Sequence, residues 1–113
     1  MDFKKLTFDE WLTDTQAERD NISDVLLTPV VDIDKSILTS VACQEMRSQA
    51  EWFLSVHTAQ SILASKAKYP DASAAERKEL AKCDVRDMQY IVDSISAIYN
   101  GLYKRIQHQG DRR

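Results

Sequence analysis

The sequence predicts an all-α fold: a long antiparallel helical hairpin, preceded by one or two short N-terminal helices and packed as a bundle. Glycine and proline each occur only twice among the 113 residues, which leaves little of the punctuation that strands and tight turns require. Apolar residues recur three and four apart over two long stretches, as on one face of a helix. A chain of this length fits one domain, so we expect a single helical domain over residues 1–113.

Residues 1–29 form the predicted N-terminal segment. Thr7 and Glu10 have the spacing of a capping box, in which a hydroxyl and a carboxylate satisfy the free N–H groups of a helix start. Apolar residues follow at helical spacing, but a polar run over 14–21 separates them, which predicts one or two short helices. The segment ends at Thr28-Pro29, because a residue before proline avoids the helical conformation.

The first long helix is predicted over 34–68, where neither glycine nor proline follows the capping residues Asp32 and Asp34. At 1.5 Å per residue it would be about 50 Å long. Its apolar residues are expected to form the face that packs against the second arm of the hairpin. These residues are Leu38, Val41, Ala42, Met46, Trp52, Phe53, Val56, Ala59, Leu63 and Ala67.

The second long helix is predicted over 73–106, starting at a capping box formed by Ser73 and Glu76, with a frayed tail over 107–113. Its apolar residues alternate three and four apart as a heptad seam, and the seam is wider than two helices can cover. We therefore expect a homo-oligomer. The predicted interface residues are Met88, Ile91, Ile95, Ile98, Tyr99 and Leu102.

The sequence contains few residues in the patterns that catalytic or metal sites require. His57 and His108 are far apart, and no His, Cys or acidic residues have metal-ligand spacing. Cys83 has no histidine nearby in sequence, so we interpret it as structural. Glycine-rich phosphate loops are absent. We predict no catalytic residue, metal or cofactor, and a protein that is not an enzyme.

Charge is unevenly distributed along the chain. Residues 1–65 carry a net charge of −6, and residues 66–113 a net charge of +3. Lys66 and Lys68 with Tyr69 close the first long helix, and Lys104 and Arg105 close the second, followed by 112–113. One interpretation is that these cations only stabilise the helix C-termini, where positive charge is favourable. The alternative is that these residues form a groove for single-stranded nucleic acid, with Tyr69 as a stacking platform.

The N-terminal segment has the opposite sign. Between Asp9 and Asp34 there are eight acidic residues and a single base, Arg19. This is either a solubilising face or a docking surface for a basic, nucleic-acid-binding protein. The residues of that acidic surface are Asp9, Glu10, Asp14, Glu18, Asp20 and Asp24.

The order of these features resembles phage recombination mediators of the UvsY type, over roughly residues 32–106. The matching run starts at Ile33-Asp34 and continues through Trp52 and His57 to Lys66-Ala-Lys68-Tyr69. Members of that family are small helical ring-forming proteins that help to load a recombinase onto single-stranded DNA. The resemblance implies that Lys66 and Lys68 contact DNA and that the last helix mediates assembly.

Two functional hypotheses follow. The first is a non-enzymatic oligomeric mediator that binds itself, single-stranded DNA and a recombinase. The second is an acidic inhibitor or adaptor, for example a phage counter-defence protein, acting through its N-terminal segment. No stretch is apolar enough to span a membrane and the first residues lack the core of a signal peptide. We therefore expect a cytoplasmic protein, in the host cell if a phage encodes it.

Overall fold

A computed structural model of the chain describes residues 2–28 and 32–111. A one-turn 3-10 helix over Phe3–Lys5 precedes four α-helices. They are α1 over Phe8–Leu27, α2 over Ile33–Lys68, α3 over Ala74–Asp84 and α4 over Arg86–Asp111. The described ranges contain no strand, so the predicted all-α class is confirmed. Within them, no helix has both the length and the apolar character needed to cross a membrane. Pro29 and residues 112–113 lie outside the described residues.

The N-terminal segment is one helix of 20 residues, where the sequence suggested one or two short ones. The Glu10 N–H donates to the Thr7 hydroxyl at 3.1 Å, and the Thr7 N–H donates to the Glu10 carboxylate at 3.0 Å. These bonds, chiefly the one from the Thr7 backbone, lower the pKa of Glu10. The polar run does not break α1, and the buried residues Trp11 and Ile22 lie on either side of it. Within the run, the Arg19 guanidinium folds along the helix and donates to the Leu12 carbonyl at 2.7 Å.

The hairpin has one continuous arm and one broken arm. α2 has 36 residues and starts after Asp32, whose carboxylate accepts the Lys35 N–H at 3.1 Å. The second arm differs from the predicted helix over 73–106, because it is interrupted at Val85 and continues beyond Ile106 to Asp111. No glycine or proline marks the interruption. Ala81 and Val85 are both buried, so the interruption lies at a packed position of the arm.

α1, the N-terminal half of α2 and α4 form an elongated three-helix bundle. α1 and α4 both run antiparallel to α2. Phe8 at the start of α1 packs on Phe53, with ring centroids 5.6 Å apart. The molecule measures 60 × 30 × 18 Å with a radius of gyration of 17.7 Å, whereas a compact chain of this length has about 13 Å. Its accessible surface is 7714 Å², against roughly 6,300 Å² for a compact globule of this mass.

The inward face of α2 agrees only in part with the one that the sequence suggested. Leu38, Val41 and Leu63 are 73%, 61% and 66% exposed, and Ala59 and Ala67 are exposed as well. The buried residues follow a different stripe, of mostly small side chains, along the N-terminal half of the helix. They are Ser36, Thr39, Cys43, Met46, Ala50 and Phe53. The predicted face was right at Met46 and Phe53 and wrong at its exposed members, because α2 has two apolar stripes and hydrophobicity alone does not distinguish them.

Aromatic side chains fix α1 on α2. The Trp11 side chain is 1% exposed and its indole N–H donates to the Gln49 side-chain oxygen at 2.8 Å. Of the adjacent pair Trp52 and Phe53, Phe53 enters the core. Trp52 is half-buried under Phe3, with ring centroids 5.5 Å apart. A buried polar group needs a hydrogen-bond partner, so the Trp11–Gln49 bond also fixes the register of the two helices.

The six residues predicted to form an oligomer interface on α4 pack inside the chain. Ile95 and Leu102 are buried, and Met88, Ile91, Ile98 and Tyr99 are half-buried against the same core. The Arg47 guanidinium lies 4.8 Å from the Tyr99 ring centroid. α1 covers the part of the seam that the sequence left without a partner.

Gly101 allows α1 to approach α4 closely. A Cβ built on Gly101 would lie 3.1 Å from a terminal methyl group of Leu26. The close approach is therefore to a neighbouring side chain.

Arg105 closes the C-terminus of α1. Its guanidinium donates to the carbonyl of Val25 at 3.0 Å, to that of Thr28 at 2.6 Å and to that of Leu26. The last carbonyls of a helix have no partner within the helix, and a cation there also interacts favourably with the helix dipole. Arg105 was predicted to contact nucleic acid. In the structure its guanidinium is instead hydrogen-bonded to these three carbonyls.

Replacing Arg105 with methionine should lower the free energy of unfolding by about 1.5–3 kcal/mol, the usual contribution of hydrogen bonds to a charged group. Urea denaturation followed by circular dichroism measures the change. The control is Lys104→Met, an exposed neighbour, which should shift stability by at most about 0.5 kcal/mol. Equal losses in both variants would contradict the assigned role.

The two cysteines differ in environment. Cys43 is 1% exposed and its thiol lies 3.6 Å from the Ile95 carbonyl oxygen, whereas Cys83 is exposed. Burial raises the pKa of Cys43 to about 11, partly offset by the nearby Arg47. Since the thiolate is the reactive form, Cys43 is inert at neutral pH.

An aromatic disulfide reagent at pH 8 should therefore titrate one thiol rapidly in the folded protein and the second only after denaturation. Cys83→Ser should remove the rapid reaction and leave only the thiol that reacts after denaturation. Above pH 9 ionisation of Cys43 favours the unfolded chain, so stability should decline as the pH rises towards 11. Two rapid thiols in the folded protein would contradict the burial of Cys43.

Candidate functional site

A groove of about 770 Å³ opens between the C-terminal half of α2 and the junction of α3 and α4. We call it the hairpin-end groove. Leu54 and Ile62 of α2 and Val85 of the junction contribute apolar walls. Lys82 and Arg86 bring two cations to its lining. A concave surface with a few polar groups is the usual form of a binding site.

The groove exists because α1 covers only half of α2. The first residue of α1, Phe8, packs on Phe53. The rest of α2, to Lys68, packs only against α3 and the first turns of α4. Without a third helix on this side, the walls stay open to solvent.

The two cations of the groove are available to an anionic ligand. The Lys82 ammonium lies 3.0 Å from a Glu79 carboxylate oxygen, but the side chains are 68% and 73% exposed, and exposed pairs contribute little. The exposed Arg86 has a weak contact, at 3.8 Å, with the sulfur of Cys83. Asp93 is the one acid among the lining residues, and it accepts a hydrogen bond from Gln89 at 2.9 Å.

Tyr90 gives the groove an exposed aromatic ring. Its side chain is 73% exposed although it lines the groove. Lys66 lies one helical turn beyond Ile62, so both residues lie on the same face of α2. Cations next to an exposed aromatic ring are the combination that single-stranded nucleic acids bind, because phosphates meet the charges and bases stack on the ring.

The structure separates the residues that the sequence assigned to nucleic acid. Lys66, Lys68 and Tyr69 are exposed at the hairpin end, where the Tyr69 carbonyl accepts a hydrogen bond from Arg77 at 3.2 Å. Lys104 is exposed at the other end, beside Arg105. Because α2 alone is about 54 Å long, one chain does not bring the two clusters into a single groove.

The sequence patterns did not single out Lys82, Arg86 and Tyr90 as binding-site residues. The first two lie four residues apart and Tyr90 follows after four more, which is the spacing of one helical stripe. This spacing was visible in the sequence. The prediction for this segment instead followed its apolar seam.

The six predicted acidic residues of α1 are all exposed. Asp9, Glu10 and Asp14 lie together on a side of α1 that no other helix borders, whereas Glu18 lies beside Glu45 of α2. Within the described ranges the ion pairs are Arg47–Glu51 and Lys82–Glu79, so no acid of α1 takes part in one. The outer face of α1 is thus acidic along a helix about 30 Å long.

The described residues contain no group of three or more His, Cys, Asp or Glu side chains placed to hold a metal ion. The two histidines lie far apart, with His57 half-buried on α2 and His108 exposed near the end of α4. Neither cysteine has an acid–base partner among the hydrogen bonds of these residues.

Comparisons with protein-family models, with curated proteins and with solved structures found no match.

Proposed function

We propose that this chain is a non-enzymatic assembly factor that binds single-stranded DNA in the hairpin-end groove. The observation that carries the proposal is the juxtaposition of Lys82, Arg86 and the exposed ring of Tyr90 along one groove. A groove of this kind suits a flexible strand, whose bases can turn towards the ring while its phosphates follow the cations. Lys66 and Lys68 extend the positive charge towards the end of the hairpin.

The resemblance to phage recombination mediators supports the same function. It implies DNA contacts by Lys66 and Lys68, which are exposed at the end of α2. It also implies the loading of a recombinase, which we propose as the protein partner. The groove adds contacts on α3 and α4 that the resemblance does not supply.

Binding of a fluorescent oligothymidylate should be detectable by anisotropy at low salt and should weaken steeply with added salt. In Lys82→Ala/Arg86→Ala, the slope of log K against log salt should fall by roughly 1.4, because each lost phosphate contact removes about 0.7. In Tyr90→Ala, affinity should fall by about 1–3 kcal/mol, the contribution of one stacked base, with the slope unchanged.

The matched control is Lys104→Ala, which removes one exposed cation at the opposite end and should leave binding unchanged. Lys66→Ala/Lys68→Ala should weaken binding if the strand continues along α2. Absence of binding at low salt in the wild-type protein would remove the nucleic-acid part of the proposal.

A second candidate function is favoured by the outer face of α1. Six exposed carboxylates without an ion pair fit a basic partner, such as the nucleic-acid-binding groove of another protein. Complementary charge accelerates association and selects the partner. In this alternative the chain is an inhibitor or adaptor that occupies the partner's groove in place of nucleic acid.

The test is capture of the partner on the immobilised chain, followed by displacement of a labelled oligonucleotide from the captured protein. Reversing Asp14, Glu18 and Asp20 to lysine should abolish both capture and displacement, because attraction becomes repulsion. Circular dichroism checks that the variant stays helical.

The control for this variant carries the same change in charge at the other end of the molecule, as Asp71→Lys/Glu79→Lys/Asp84→Lys. It should capture the partner as the wild type does. Capture that survives the reversal on α1 would place the contact elsewhere.

A further inference from the structure

A second concave site, with a volume of about 240 Å³, lies in the three-helix bundle where α1, α2 and α4 meet. We call it the bundle pocket. Its mouth is formed by Asp20 of α1 and Tyr90 of α4, which are both exposed. Its floor is formed by the buried side chains of Ile22, Cys43, Met46 and Ile95. The pocket is therefore apolar at its base and opens to solvent between α1 and α4.

The bundle pocket is large for the interior of a protein. Closely packed cores contain few voids bigger than a water molecule, and an apolar cavity of about 150 Å³ is enough to hold benzene. Sites for drug-sized ligands start at about 300 Å³. The volume of about 240 Å³ lies between these sizes. It therefore matches a ligand with a single bicyclic ring system.

The lining of the bundle pocket favours a ligand without charge. Most of its residues are apolar, and an ionised ligand would lose its hydration against them, which is unfavourable. Arg19 is the one cation of the lining. Its guanidinium already donates within α1, to the Leu12 carbonyl at 2.7 Å and to side-chain oxygens of Thr15 and Gln16 at 3.2 Å each. An anion thus finds no uncommitted cation in the pocket.

The polar groups that remain at the mouth are hydrogen-bond acceptors. The Asp20 carboxylate accepts one hydrogen bond, from Gln16 at 3.1 Å, and takes part in no ion pair among the described residues. The Ser94 hydroxyl donates to the Tyr90 carbonyl at 2.8 Å, so its oxygen is left to accept. A ligand that offers an N–H or O–H donor complements this mouth.

We propose that the bundle pocket binds a neutral bicyclic aromatic molecule with one N–H or O–H donor. The ring lies on the apolar floor, and the donor bonds to Asp20. This site goes beyond the function proposed above and does not depend on it. Tyr90 lines both the bundle pocket and the hairpin-end groove, so the binding of the small molecule is measured without oligonucleotide.

Indole is the probe, because it is uncharged and combines a bicyclic ring with one N–H donor. Titration calorimetry should show saturable binding to the wild-type protein. 1-Methylindole keeps the ring but lacks the donor, and should bind about tenfold more weakly, the usual effect of one hydrogen bond to a charged group. Asp20→Ala should weaken the binding of indole by a similar factor and leave that of 1-methylindole unchanged.

Methionine methyl groups labelled with carbon-13 show where the probe binds. Met46 lines the bundle pocket, whereas Met88 packs on the same core and is not part of the lining. Indole should shift the Met46 methyl resonance through its ring current and affect that of Met88 much less. Met88→Leu assigns the two resonances, since this exchange nearly conserves volume.

Ser94→Leu should fill the bundle pocket with apolar atoms. We expect indole binding to be lost and Tm not to be lowered, because the added side chain occupies a void. The matched control is Ser48→Leu, the same substitution at an exposed position of α2 outside the pocket. It should bind indole as the wild type does, and circular dichroism verifies the helix content of both variants.

Three results would overturn the proposal: no saturable binding of indole, an unchanged Met46 resonance at saturation, or equal affinities for indole and 1-methylindole. All three are measured on the wild-type protein, so they do not require Ser94→Leu to fold. Loss of oligonucleotide binding would refute only the proposed function. Absence of indole binding would refute only the small-molecule site.

Discussion

The packing of α2 between two other helices is the constraint on which the rest of the structure depends. Large side chains from α1 and α4, among them Trp11, Ile95 and Leu102, fill the core. α2 enters that core with a narrow stripe, in which the small residues Ser36, Thr39, Cys43 and Ala50 accompany Met46 and Phe53. Close packing leaves no room there for a second row of leucines. Leu38 and Leu63 of α2 lie on its outer face.

The limited length of α1 divides the molecule into two structurally different halves. Where α1 covers α2 and α4, the bundle is closed and its outer surface is acidic. Past the start of α1, where Phe8 packs on α2, the hairpin continues without a third helix. The groove with Lys82, Arg86 and Tyr90 therefore remains open there. One chain thus presents a negative surface and a positive groove on different parts of a rod 60 Å long.

The sequence by itself determined the all-α class and the start of each of the first three helices, because capping boxes and the scarcity of glycine and proline are local signals. It also indicated the exposed acids and the basic end of α2. Which stripe of α2 faces inward was decided only by the tertiary structure. The helix has two apolar stripes, and the one whose side chains fit between α1 and α4 is buried. The role of Arg105 and the groove residues Lys82, Arg86 and Tyr90 likewise depend on which helices meet. Side chains distant in sequence acquire their partners only when the bundle closes.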